Sequence, residues 1–167
     1  MRHQARFVGN HAPQILVDRR GIQAGKPQAR QLRPGIAIGA DLIAGFPTET
    51  DALFAETLDF VRAADLPFLH VFPYSERPGT PAARMPAVPK SVRRERAALL
   101  RAAGREAAQR FYATQVGRTV SLLTESAAAG HSEHFAPVRL ALPAAPARLL
   151  PARILAVGDD TLLAEAA

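Results

Sequence analysis

The chain has 167 residues, 48% hydrophobic and 22% charged, with a net charge of +6 and no cysteine. Without cysteine it can form no disulfide, no thiolate zinc site and no cysteine-ligated iron–sulfur cluster, so any redox cofactor must be held elsewhere. It has no apolar run near the ~18 residues of a membrane span and no apolar core of a secretory signal at its start, so the expected location is the cytoplasm, away from membranes.

This length fits one domain or two small ones, since domains run roughly 50 to 250 residues. Alanine supplies much of the apolar content and buries little area per residue, so the expected core is thin. Charge is unevenly spread: +6 over residues 1–35, −5 over 36–75, +7 over 76–118 and −2 over 119–167. The basic blocks are nearly all arginine, whose planar fork can hold phosphate oxygens in pairs.

Residues 1–31 show neither a helical nor a strand period apart from Ile15-Leu16-Val17, and are expected to be an unstructured leader. Ile36 to Ala44 is a short apolar run bounded by Pro34-Gly35 and Gly45-Phe46-Pro47, as in a strand buried on both faces. Thr48 and Thr50 then offer capping hydroxyls, and Asp51 places a carboxylate in a first helical turn. Leu53, Phe54, Thr57, Leu58, Val61 and Ala64 keep helical spacing until Pro67. Phe68 to Phe72 reads as a second strand, which completes a βαβ unit with parallel strands and a right-handed crossover.

Pro78 to Pro89 reads as a loop. Ser91 is expected to cap a helix over about Val92 to Thr114, with Val92, Leu99, Leu100, Ala103, Ala107 and Phe111 on its apolar face and arginines over much of the rest. Gly104 inside it costs about 1 kcal/mol relative to alanine. After a domain boundary near residue 116, Thr119–Thr124, Phe135–Leu142, Leu149–Val157 and Thr161–Ala164 are β-like runs that suggest a small antiparallel barrel. Phe135 is expected in its core, with stacking on a base as the alternative.

The two predicted strands would deliver their polar ends to one edge of a parallel sheet, where β/α folds hold ligands. One end reads GADLIAGFPTET and the other HVFPYSERPGT. His70 reads as a core histidine, and no partner at ligand spacing supports a metal role for it. Glu49 could simply complement the helix dipole, and Arg77 could pair with Glu76 or Asp41. No phosphate-binding glycine loop or nucleophile elbow is present.

These strings, together with the arginine-rich helix and TVSLLTESAAAGHSEHFAPVRL, resemble the carboxyl-terminal half of the radical S-adenosylmethionine methylthiotransferases. The resemblance covers about residues 32–167 and is strongest to the subgroup that modifies threonylcarbamoyladenosine beside the tRNA anticodon. It implies an α/β fold: residues 32–115 as a partial (β/α) barrel, then residues 116–167 as a small RNA-binding β-domain of the TRAM type. It also implies S-adenosylmethionine and [4Fe–4S] clusters in the complete family, tRNA as partner, and a 2-methylthio group on adenosine as product.

Position by position, the resemblance places Asp41, Ile43, Gly45, Phe46, Pro47 and Glu49 against S-adenosylmethionine, with Thr48 standing where the family usually has glycine. It places His70, Tyr74, Ser75, Arg77, Gly79 and Thr80 around the substrate nucleotide. Arg93, Arg94, Arg96 and Arg101 of the basic helix, with Arg139 of the β-domain, are the candidate RNA contacts. The regions that bind the clusters in the family have no counterpart in this sequence. The expectation is therefore a truncated member, inactive alone, whose missing amino-terminal half is a possible partner; the alternative is a free-standing RNA-binding module.

Overall fold

The computed structural model describes residues 19–33 and 35–167, with side chains from residue 26 onward. Residues 1–18 of the expected leader lie outside the described residues. The rest of it is not without structure: Arg19–Leu32 forms a helix, α1. Its Lys26 side chain donates a hydrogen bond to the carbonyl of Ala64, at the carboxyl end of the next helix, where a cation is favoured.

Strand β1 (Gly39–Ala44), helix α2 (Asp51–Ala64) and strand β2 (Phe68–Pro73) form the expected βαβ unit. The strands pair in parallel, with Gly39 opposite Phe68 and Ala44 opposite Pro73. Thr50 caps α2 by accepting from the Leu53 amide, and Asp65 closes the helix in the left-handed region at φ 49°. Helix α3 (Lys90–Ala113) follows a short 3₁₀ turn and packs with α2 on one face of the two strands. Leu42, Ala44, Val71, Phe54, Phe60, Val61, Leu100 and Ala103 form the core of this unit.

Three details of α3 differ from the sequence reading. The helix begins at Lys90 after Pro89, and no side chain caps it. Its buried stripe runs through Arg93, Arg96, Ala97, Leu100, Ala103, Gly104 and Ala107, which leaves Leu99 exposed. Gly104 is there for closeness, since a Cβ on it would lie 3.1 Å from the Leu69 side chain.

Strands β3 (Thr119–Thr124), β4 (Ala129–Ser132), β5 (Pro137–Leu140), β6 (Leu149–Val157) and β7 (Leu162–Ala166) close into a barrel in the order β3-β4-β5-β7-β6. The barrel is mixed and not wholly antiparallel, because β5 and β7 run in parallel. Alternation along the strands sends Val120, Leu122, Val138, Leu140, Ala152, Ile154, Leu162 and Ala164 inward. Tyr112, from the last turn of α3, joins this core, and Phe68 and Phe111 pack beside it. Phe135 does not: it is 80% exposed, at φ 58°.

Candidate functional site

The parallel register brings the carboxyl ends of β1 and β2 to a common edge, where the Tyr74 amide donates to the Ala44 carbonyl at 2.8 Å. The face of the sheet away from the helices is open. Asp41, Ile43, His70 and Phe72 are exposed on it, so His70 is a surface residue and not the core histidine expected. At the strand ends Ile43, Phe72, Tyr74, Ser75, Arg77 and Thr80 line a groove of about 550 Å³. That lies within the roughly 300 to 1,000 Å³ usual for ligand pockets.

Two arginines of α3 hold this edge together from behind. Arg93 donates from Nε to the Val88 carbonyl (2.6 Å), from Nη1 to the Tyr74 carbonyl (3.1 Å) and from Nη2 to Glu76 Oε1 (3.0 Å). It also lies 5.2 Å from the centre of the Tyr74 ring, a cation–π contact. One helical turn on, Arg96 Nη1 donates to the Glu49 carbonyl (3.0 Å) and to Glu49 Oε2 (2.8 Å), and Nη2 pairs with Asp51. Glu49 Oε2 in turn accepts the Gly45 amide at 2.6 Å. Arg93 thus fastens the β2 end, and Arg96 fastens the β1 end.

Burial opposes the charge on Arg96, but the hydrogen bonds to Asp51 and Glu49 outweigh it and hold the guanidinium above its already high ordinary range. The side chains of Arg96 and Glu49 are only 6% and 1% exposed. The contacts of Arg93 and Arg96 bear on three expectations. Arg93 and Arg96, expected as RNA contacts, are buried and bonded to the strand ends. Glu49 is the anchor of the turn, which goes beyond complementing a helix dipole. Glu76 pairs with Arg93 and not with Arg77.

Gly45 sits at φ 72°, and a Cβ there would lie 2.5 Å from Arg93 Cγ. The close approach it permits is therefore that of Arg93. Thr48, at φ 71°, occupies the left-handed region that favours glycine. Phe46 meets Tyr74 edge to face at 5.3 Å, and Pro47 is buried beneath them. Of the expected ligand-contact residues, Ile43, Tyr74, Ser75, Arg77 and Thr80 share the groove. Asp41 and His70 lie further down the open face, and Gly45, Phe46, Pro47 and Glu49 build the turn behind it. The Tyr74 hydroxyl is buried with no hydrogen-bond partner among the described residues.

The remaining arginines divide. Arg101 donates from Nη1 to the Val71 carbonyl at 3.1 Å and so is partly committed to β2. Arg94 and Arg139 are exposed. Arg94 borders a second groove with Lys90, Tyr74 and Ser75, on the α3 side of the strand ends. The sequence reading put Arg93, Arg94, Arg96 and Arg101 of α3 in one class. The signal that separates them is spacing: positions 93, 96, 97, 100, 103 and 107 form one helical stripe.

No protein-family model matches the chain. Curated relatives do. The chain is 50% identical over 111 residues to threonylcarbamoyladenosine tRNA methylthiotransferase MtaB of Rickettsia prowazekii, which covers 66% of this chain and 26% of that protein. It is 48% identical over 99 residues to tRNA-2-methylthio-N(6)-dimethylallyladenosine synthase of Sphingopyxis alaskensis, covering 59% of this chain and 22% of the relative. With MtaB of Aquifex aeolicus it shares 37% identity over 92 residues, 54% of this chain and 22% of the relative. The parallel strand pair, its grooved edge and the closed barrel thus lie in a chain similar to part of the tRNA methylthiotransferases. The relatives named for threonylcarbamoyladenosine include the 50% match, and those named for dimethylallyladenosine reach 48%. The chain spans about a quarter of the length of these relatives.

Proposed function

We propose that this chain supplies the carboxyl-terminal part of a tRNA methylthiotransferase: two strands of its barrel and an RNA-binding β-domain over residues 116–167. The reaction is addition of a 2-methylthio group to threonylcarbamoyladenosine beside the anticodon, in the cytoplasm. The observation that carries the reading is the shared edge of β1 and β2, where Ile43, Phe72 and Tyr74 line a largely apolar groove.

The two implied cofactors fare differently against the residues present. A [4Fe–4S] cluster does not fit this chain, which has no cysteine and, among its described residues, no group of three metal-ligating side chains. The groove lining suits S-adenosylmethionine: Ile43 and Phe72 offer apolar contact, Tyr74 a ring, and Ser75 and Thr80 polar groups. When bound, that cofactor supplies the methyl group of the product. The chain's own contribution is position. Arg93 and Arg96 fix the two strand ends, and the ends fix the groove wall.

The open face of the sheet and its unpaired outer edges support a partner protein that carries the cluster-binding regions. An isolated parallel pair leaves backbone donors and acceptors available to further strands. The test is reconstitution: the chain is combined with a protein bearing those regions, and the tRNA is assayed for methylthiolated adenosine. Product only in the mixture supports the reading. Product from the chain alone contradicts the proposed inactivity, and no product from a mixture that forms a complex contradicts the enzymatic role.

A second reading, a free-standing RNA-binding module, is favoured by the exposed Phe135 on a closed barrel that does not depend on a partner for its edges. It predicts tRNA binding that falls steeply with salt, with no effect of any partner on affinity.

A further inference from the structure

A third groove lies away from the strand ends, between the amino-terminal half of the sheet and the outer surface of the barrel. It has a volume of about 770 Å³, and Phe68 and His70 on one side face Leu123, His131, Phe135 and Leu149 on the other. We propose that it takes one unpaired RNA base, stacked on Phe135, with the neighbouring phosphates meeting Arg139 and Arg148. This rests on the reading of the barrel as an RNA-binding domain and names the site within it.

Four observations support it. Phe135 is a bulky side chain at φ 58° with four-fifths of its surface in solvent, so folding alone gains little from it. A tight turn fixes it there: its amide donates to the Ser132 carbonyl at 2.9 Å, and the Ser132 amide donates to the Ala136 carbonyl at 3.0 Å. An exposed ring held on a rigid turn is a stacking platform, and stacking needs only a flat face on the ligand.

Next to it the strand register aligns Leu149, Leu123, His131 and Pro137 in a row across β6, β3, β4 and β5. Leu123 and Leu149 are exposed, so the row is an apolar strip.

The charged groups lining the groove are Glu125 and Glu133, with no arginine or lysine. Carboxylates would repel a phosphate, but they accept hydrogen bonds from the amino and imino groups of a base edge. One oxygen of each is already used, Glu125 Oε1 with His131 Nδ1 at 3.0 Å and Glu133 Oε2 with the Ser121 amide at 2.7 Å. That fixes both groups in place and leaves each a second oxygen.

Finally, the arginines stand where phosphates would. Arg139 pairs across the strands with Ala129, two residues along β4 from His131, or about 7 Å. Arg148 directly precedes Leu149, and neither arginine has an acidic partner among the described residues.

The test uses the whole chain and an anticodon stem-loop RNA carrying 2-aminopurine in its loop, titrated at low salt. The sequence contains no tryptophan, so Phe135→Trp adds a single reporter. Phe135→Ala should bind about tenfold more weakly and lose quenching of the aminopurine, while Phe135→Trp should keep wild-type affinity and show quenched tryptophan emission. Unchanged affinity and quenching in Phe135→Ala would overturn the groove as the base site and leave the RNA reading standing. Absence of any binding by the wild-type chain would remove both. If Phe135→Ala left RNA affinity intact but abolished self-association in sedimentation, the strip would be a protein contact and the proposal would fall.

Discussion

The two halves of the molecule solve the same problem differently. In the barrel, every one of β3 to β7 has two neighbours, and the sheet has no edge. In the β1–β2 unit, only one side of each strand is paired and only one face is covered, so Ile43 and Phe72 stay half exposed at 50% and 56%. The barrel is held by inward-facing aliphatic side chains. The open unit relies in addition on buried arginines that fasten its strand ends. Closure gives a self-sufficient surface for contact, whereas openness leaves a face that a larger assembly can complete.

The sharpest way to break this contrast is to remove Arg96. Arg96→Ala would leave Glu49 buried without its cation, a loss of about 3 to 5 kcal/mol. Chemical denaturation should then show the βαβ unit unfolding early while the barrel transition stays near its original position. A single shifted transition would mean that the halves unfold as one. The complementary cut is Leu122→Ala in the barrel core, where Leu122 is fully buried. It should cost about 2 to 5 kcal/mol, with the larger effect on the barrel transition.

A smaller change sharpens the comparison. Thr48→Gly should stabilise the open unit by about 1 kcal/mol, because a non-glycine residue is held there at positive φ. A loss of stability would show that the Thr48 side chain contributes more than its backbone costs.

The smallest expected effect is on pH. Burial, with a lesser contribution from Asp160, raises the Tyr112 phenol above its ordinary range. The neutral phenol therefore contributes stability that is fully present below the unfolded pKa of about 10, and that is lost as pH rises through the higher folded value. Tyr112→Phe should flatten the alkaline limb of the barrel's stability curve. An unchanged limb would assign it to other groups.

Much of the open unit was legible because its punctuation is strong. Pro34-Gly35 and Gly45-Phe46-Pro47 bracket β1, Thr50 caps α2, and Pro67 lies just beyond its end. The same reading missed β4 because that strand has no apolar alternation. Its inward residues are Gly130 and Ser132, and a Cβ at Gly130 would fall 2.0 Å from the Leu123 carbonyl oxygen. It also missed α1, which contains two glycines and a proline yet packs against α2.

At the site, the grooved edge followed from parallel register alone. The burial of Arg93 and Arg96 did not, because their acidic partners are 17 and 47 residues away in the chain. Phe135 defeated the hydrophobic rule outright. A phenylalanine at a strand start normally goes inward, and only its positive φ, invisible in sequence, turns it out.

Hydrogen exchange of the whole chain, with and without anticodon stem-loop RNA, tests the division between an open unit and a closed barrel proposed to bind RNA. Without RNA, the amides of Val120, Leu122, Val138 and Ile154 should exchange more slowly than those of Leu42 and Val71. With RNA, added protection should concentrate at Leu123, residues 131–135 and Leu149. Uniform exchange across both halves, or protection confined to α3, would contradict it.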